Sequence, residues 1–233
     1  MRDSTTTDYP LSIAAWLVTA SAMLSGPLGF VTTLHEAQPA WRDARVYAEH
    51  AHRVQQLPFW FGFLMIVSCV LLVARMASLA FDHHRTRSFL AIVAIAVYAS
   101  LISINYALQV AYVPALVQAH DNVLAYVTMT NPTAPTWVLE MFGYAVLGLA
   151  TAILAPAIAG HSWRRRTIRG LLRANGAISI LGALVTAVDL AWVQTPAGLV
   201  CFLGWNALMI TATALIGFEY IPPGRRSDAQ LAQ

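Results

Sequence analysis

Residues 57–115 read LPFWFGFLMIVSCVLLVARMASLAFDHHRTRSFLAIVAIAVYASLISINYALQVAYVPA. Two apolar runs, 57–81 and 89–115, flank the polar stretch Asp82-His83-His84-Arg85-Thr86-Arg87. Each run reaches the roughly 20 residues that a helix needs to cross a bilayer core. The pattern therefore predicts two membrane helices joined on one side by a short basic turn. Working outward, four more runs qualify, at 11–34, 137–160, 171–193 and 197–218. The fold expected is an all-α, polytopic six-transmembrane-helix bundle, with residues 1–233 as a single integral membrane domain. Ser25-Gly26-Pro27 predicts a kink in the first span, where neighbouring helices satisfy the freed carbonyl. A tight turn around Thr195-Pro196 joins the last two spans.

Composition narrows the chemistry. Apolar types make up 58 % of the chain and Asp, Glu, Lys and Arg 11 %, and the mean hydropathy is +0.60; a soluble domain is about 25 % charged. All 14 strongly basic residues are Arg. With no Lys there is no lysine nucleophile, no Schiff base to retinal or pyridoxal phosphate, and no phosphate-loop Lys. Cys69 and Cys201 lie far apart inside apolar runs, so neither a CxxC redox pair nor a thiolate metal site is supported. No cofactor or metal is expected. The pI near 9.1 does not point to nucleic acid, because the Arg residues cluster beside the spans.

That clustering sets an orientation. One side carries Arg2, Arg75, Arg85, Arg87, Arg164, Arg165, Arg166, Arg169, Arg173, Arg225 and Arg226; the other carries Arg42, Arg45 and Arg53. The positive-inside rule then places both termini in the cytoplasm and the protein in the plasma (inner) membrane. Ala20-Ser21-Ala22 resembles a signal-peptidase site, but Asp3 and Asp8 precede it and the apolar run continues past it. Ile104-Asn105-Tyr106-Ala107-Leu108 faintly echoes Trp205-Asn206-Ala207-Leu208, too short a match to establish an inverted repeat.

The first outer loop turns helical from Trp41 onward, with Arg45–Glu49 and Glu49–Arg53 at i,i+4 spacing. It reads as a short amphipathic helix at the outer interface. His35, Glu36, Glu49, His50 and His52 invite a metal reading. His50 and His52, two residues apart, point to different helix faces and do not suit one ion. No His falls within a span, which excludes intramembrane haem ligation by paired histidines.

Among the acids, Asp3, Asp8, Glu36, Asp43, Glu49, Asp82, Asp121 and Asp228 fall outside the spans, and Glu219 ends the sixth near Arg225 and Arg226. Glu140 and Asp189 remain. An intramembrane carboxyl is costly and is by default a functional hypothesis. Counting at 1.5 Å per residue puts both roughly 5–7 Å below the outer interface, at one level, where they could share a site. Asn175, Ser179, Gly182, Thr186 and Asp189 form one helical stripe on span five, and Tyr98, Ile102, Asn105, Gln109 and Tyr112 another on span three. Glu140 is followed by Gly143 and Tyr144, and span six contributes Asn206 and Thr213. Such stripes face protein or a cavity rather than lipid, and much of their polarity is ordinary bundle adhesion. Asn105 and Asn206 read first as packing partners, and Trp137 and Trp192 as an interfacial aromatic belt.

Three classes of function remain. The first is a protein that binds or transports a small solute, cationic or proton-coupled. Its crevice would be formed by Glu140, Asp189, Asn105, Gln109, Tyr112, Tyr144, Thr186 and Asn206, with Trp205 as an aromatic cap. The second is an intramembrane enzyme on a lipophilic substrate, such as a prenyl or terpene cyclase. Glu140 and Asp189 would then serve as acid and base, and Tyr106, Tyr144 and Trp205 would line the walls. GxSxG and HExxH are absent, which removes the commonest hydrolase routes. The third is an accessory or immunity-type membrane protein without catalysis. The partners expected are the bilayer, a small-molecule ligand and a second copy or membrane partner, with no nucleic acid.

Overall fold

The computed structural model describes residues 8–29, 31, 39–119 and 121–221. His35, Glu36, His120, Arg2, Asp3, Arg225, Arg226 and Asp228, and the last residues of the first expected span, lie outside them. Helix α1 (Tyr9–Met23) continues into a wide π turn at Leu24–Leu28 that contains Pro27. There follow α2 (Ala44–His50), a 3-10 turn at Arg53–Gln56, α3 (Leu57–Ala107), a π turn at Leu108–Tyr112, α4 (Val113–Ala119) and α5 (Leu124–Val127). The chain ends in α6 (Thr136–Leu154), α7 (Trp163–Val188) and α8 (Pro196–Glu219). No strand occurs among the described residues.

Five helical runs are long and apolar enough to cross a membrane, one fewer than the sequence predicts. The difference lies in the second run, 53–119, where two expected spans form one continuous helical path. That path breaks at His84, whose φ of −141° and ψ of 46° are not helical. Beyond the break the chain returns along itself. Phe59 and Phe63 set their rings edge-on to Tyr106, at 5.4 and 6.0 Å, and a Cβ on Gly62 would overlap the Tyr106 ring. Residues 62 and 106 are equidistant from His84, as two arms of one hairpin require. The polar stretch 82–87 thus makes the predicted turn, with the non-helical His84 separating the two arms.

The helices pack in a closed ring: α1 against the first arm of α3, the second arm against α6, then α6 on α7, α7 on α8, and α8 back on α1. Small and hydroxyl residues mark the seams. Thr19 and Thr213 hydroxyls meet at 2.8 Å between α1 and α8, and Ser21 meets Ser68 at 3.1 Å between α1 and α3. At the α6–α7 seam a Cβ on Gly176 would stand 2.7 Å from the Gly148 carbonyl oxygen, so only glycine permits that approach. The core inside the ring is continuous, from Leu11, Cys69, Leu72 and Tyr98 to Leu147, Leu172 and Met209.

One end of the ring is closed by charge. Asp8 caps α1 by accepting from the Leu11 amide at 2.9 Å and receives Arg75 through two bonds, at 3.1 and 2.7 Å. Arg165 donates to Glu219 at 2.8 Å, where the sequence suggested Arg225 and Arg226 as neighbours. Arg169 donates to the carbonyls of Ile158 and Gly160, the latter at a φ of +104°. Helix α7 therefore begins at Trp163, earlier than the expected 171, because Ser162 caps it and Arg is a good helix former. The outer-loop helix is shorter than expected. It ends at His50, where Ala51 turns extended, so Arg45–Glu49 pairs at 3.0 Å while the Glu49–Arg53 helical spacing is lost. Its Tyr47 and Ala48 pack onto Val113, Leu116 and Leu124.

Two measurements check this packing. Gly176→Val should lower stability by about 2 kcal/mol or more through overpacking, whereas Gly170→Ala, at an open helical position, should raise it by about 0.5–1 kcal/mol. Thermal unfolding of the two variants should move in opposite directions. The Arg75 hydrogen bond holds the Asp8 carboxyl below its usual range, against the opposing effect of burial. Its stabilisation is therefore complete above a normal carboxylate pKa of about 3.9 and is lost as pH falls through the lowered value. Asp8→Asn should unfold at lower temperature at pH 7 and lose less of its stability than the wild type on acidification.

Candidate functional site

Towards the C-terminal end of α7 and the N-terminal end of α8, away from Arg165 and Arg169, the ring opens into a cavity of about 660 Å³. That is the size of a small-molecule site, about 300–1,000 Å³. Phe59, Tyr106, Trp137, Tyr144, Trp192 and Trp205 supply aromatic walls, and Met65, Ile178, Leu199 and Phe202 add apolar surface. Glu140 is the one acid among the described lining residues, and none of them is basic.

Glu140 stands one turn into α6 and meets the end of the second arm of α3. Asn105 Nδ2 donates to Glu140 Oε2 at 2.8 Å, and Tyr106 OH donates to Oε1 at 3.0 Å. The Tyr106 and Tyr144 hydroxyls lie 2.8 Å apart. Since Tyr106 spends its hydrogen on Glu140, Tyr144 must supply the other, giving an ordered relay from Tyr144 through Tyr106 to the carboxylate. The Tyr144 ring meets Trp205 edge-on at 4.6 Å. Gly143 makes the α6 approach possible, because a Cβ there would stand 2.5 Å from Ile102 Cδ1.

The structure separates the two acids that the sequence placed together. Helix α7 ends at Val188, and Asp189, exposed, caps the 3-10 turn Leu190–Gln194 by accepting from the Ala191 amide at 3.0 Å. It does not line the cavity. Apolar residues 190–193 prolong the hydrophobic run past the true helix end, so the expected depth of Asp189 within a span is not observed. Thr186 is buried as predicted for its stripe, but it accepts from Trp192 Nε1 at 2.8 Å and donates to the Gly182 carbonyl, also outside the lining. Tyr112 is 45 % exposed, since the π turn at Leu108–Tyr112 shifts the helical register and rotates it off the stripe. Tyr98, Ile102, Asn105 and Gln109 keep the buried face.

Gln109, Tyr144, Trp205 and Asn206 do line the cavity, and Asn105 touches it through Glu140. Asn105 and Asn206 are not partners of each other: Asn206 donates to the Phe202 carbonyl at 2.9 Å, with its side-chain oxygen against Gly26. Trp137 and Trp192 line the cavity. In the outer loop His50 lies 2.9 Å from the Val46 carbonyl and His52 caps the 3-10 turn, so each engages local backbone. Sequence reasoning missed Ser25 and Gly26 in the π turn of the first span, Gly29 just after it, and Thr128, Met129 and Thr130 from the loop before α6. The Ser-Gly-Pro kink signalled the first group; nothing periodic signals the second.

No protein-family model, curated protein or solved structure matches this chain. The function is therefore argued from the cavity itself.

Tyr106→Phe removes the donor to Glu140 and the partner of Tyr144 at once. It should cost about 1–2 kcal/mol, whereas Tyr112→Phe should stay within about 0.5 kcal/mol of the wild type. Denaturation of both variants in the same detergent makes the comparison.

Proposed function

We propose that this is a six-span protein of the plasma membrane, with both termini cytoplasmic, that binds a small apolar organic cation in the outward cavity as a step in its transport. The helical runs and the Arg-rich end support the topology, with the hairpin at His84 supplying two crossings from one run. One observation carries the binding reading: a single carboxylate, held by two donors, stands in an aromatic cavity whose described lining offers no counter-charge. A cation completes that electrostatics, and the faces of Tyr144 and Trp205 attract cations as well. The cyclase reading is weaker, because acid–base cyclisation needs a second titrating group and Asp189 does not supply it.

Tetraphenylphosphonium, titrated into the purified full-length chain while tryptophan emission is followed, tests this reading. Glu140→Gln keeps the shape of the site and removes its charge. It should weaken binding by about 30-fold or more, the usual cost of losing one partner of a desolvated charge pair, and leave the affinity for neutral triphenylphosphine oxide unchanged. Equal affinity of wild type and variant for the cation would refute the proposal. Uptake into proteoliposomes then separates a carrier from a receptor.

A further inference from the structure

The seam between α7 and α8 is pinned at two levels. Deep in the bundle, Asn175 Nδ2 donates to the Trp205 carbonyl at 3.4 Å. Nearer the cavity mouth, Gly198 packs so closely on the turn after α7 that a Cβ there would stand 2.5 Å from the Trp192 carbonyl oxygen. From Gly198 to Trp205 helix α8 rises about 10 Å, and the seam borders the cavity over that interval.

Ile178 and Cys201 stand within it. Counted from the Asn175–Trp205 bond towards the mouth, each is about 5–6 Å along its helix, so the two share one level. Ile178 lies between the buried Asn175 and Gly182 and the exposed Leu181 and Val185. On a 3.6-residue period it falls beside Asn175, which meets α8, and away from Gly176, which meets α6. Cys201 lies between the buried Gly198 and Trp205 and the open Gly204, where an added Cβ would meet nothing within 4 Å. It is on the α7 side of its helix, away from Asn206, which abuts Gly26 of α1. Both residues are half-buried and both line the cavity. The cavity therefore reaches the flank of the seam that adjoins the outside of the ring.

We propose that the cavity opens sideways into the acyl chains of the bilayer, through a window between Ile178 and Cys201, and that its ligand is a single-chain cationic amphiphile, with its head at Glu140 and its chain lying out through the window. A charged head is costly to hold in hydrocarbon, and the carboxylate offsets that cost. An alkyl chain is costly to bring into water, and the window leaves it among apolar groups. Outside the ring, the exposed Leu181 and Val185 continue that apolar surface from Ile178. The occupant rests on the membrane and cation reading above; the window does not depend on the cation.

The full-length Met65→Cys protein in nanodiscs tests the window without a ligand. Met65 is 2 % exposed and lines the cavity from the first arm of α3, which the order of the ring sets opposite α7. N-dodecylmaleimide keeps its chain in the bilayer, so it reaches the introduced thiol from the side. Peptide mass spectrometry reads the modification, and the fully buried Cys69 reports unfolding if it reacts. Adding Ile178→Trp should slow the modification by about tenfold, as a crowding cost of the size of core overpacking implies. Adding Val185→Trp, on the exposed stripe and off the cavity, should leave the rate unchanged. Equal rates in the two proteins overturn the window, as does an unreactive thiol at the start. Should Cys69 react in Ile178→Trp, that variant has unfolded, and Cys201→Phe, which narrows the window from α8, decides in its place. Dodecyltrimethylammonium, titrated below its micellar concentration, tests the occupant. Cys201→Phe should weaken its binding by about tenfold on the same crowding argument, and undiminished binding overturns the placement of the chain. Equal affinity of wild type and Glu140→Gln for this cation would remove the cation reading and leave the maleimide rates as they are.

Discussion

Tyr106 is seated in the gap that Gly62 leaves on the facing arm of the hairpin, and much of the molecule depends on that seat. The ring fixes how closely the arms of α3 approach, with Phe59 and Phe63 gripping its edges. The hydroxyl emerges on the opposite side and bonds Glu140 on α6 and Tyr144 one turn further on. One side chain therefore sets the spacing inside the hairpin, the register of α6 against it, and the position of the carboxylate. A larger residue at 62 would displace the ring and with it the donor to Glu140, so hairpin packing and site geometry are not separable here.

The two ends of the bundle solve opposite problems. At the Arg-rich end, polar groups are consumed by each other: Asp8 with Arg75, Arg165 with Glu219, Arg169 with two carbonyls. These contacts tie the end of α1 to α3, the start of α7 to the end of α8, and α7 to the loop before it. At the other end the α1 π turn, the Pro58 region and the 3-10 turn after α7 hold the helix ends apart, and the gap is the cavity. Charge pairing thus lies at one end of the bundle and the cavity at the other.

The hairpin was legible because Asp82 to Arg87 interrupts hydropathy at the same place where His84 leaves the helical conformation. The buried stripe Asn175, Ser179, Gly182, Thr186 was legible because polar groups in an apolar helix must face protein, and all four are buried. The end of α7 was not. Leu190, Ala191, Trp192 and Val193 are apolar whether helical or not, so the helix end, fixed by backbone geometry at Asp189, leaves no mark in hydropathy. Tyr112 failed for a related reason: a π turn changes the period on which stripe counting relies. Met129 lies in an irregular loop, where no period exists, and tertiary bonds from Gln109, Trp137 and Gln194 bring it to the site.

The separation of Asp189 from Glu140 changes what the remaining acid means. Two carboxyls at one depth can share a proton and so need no partner from outside. A single one is braced by Asn105 and Tyr106 and faces apolar and aromatic walls with no basic side chain among the described lining residues. An intramembrane carboxyl is costly and is by default a functional hypothesis. The donors on Glu140 argue the same way: each oxygen accepts one neutral hydrogen bond, which orients the group and leaves lone pairs over for something else. The Asn105 amide that donates to Glu140 also contacts the Met129 sulfur at 3.4 Å. The carboxyl is held in place by neutral donors from the second arm of α3, which orient it towards the aromatic cavity.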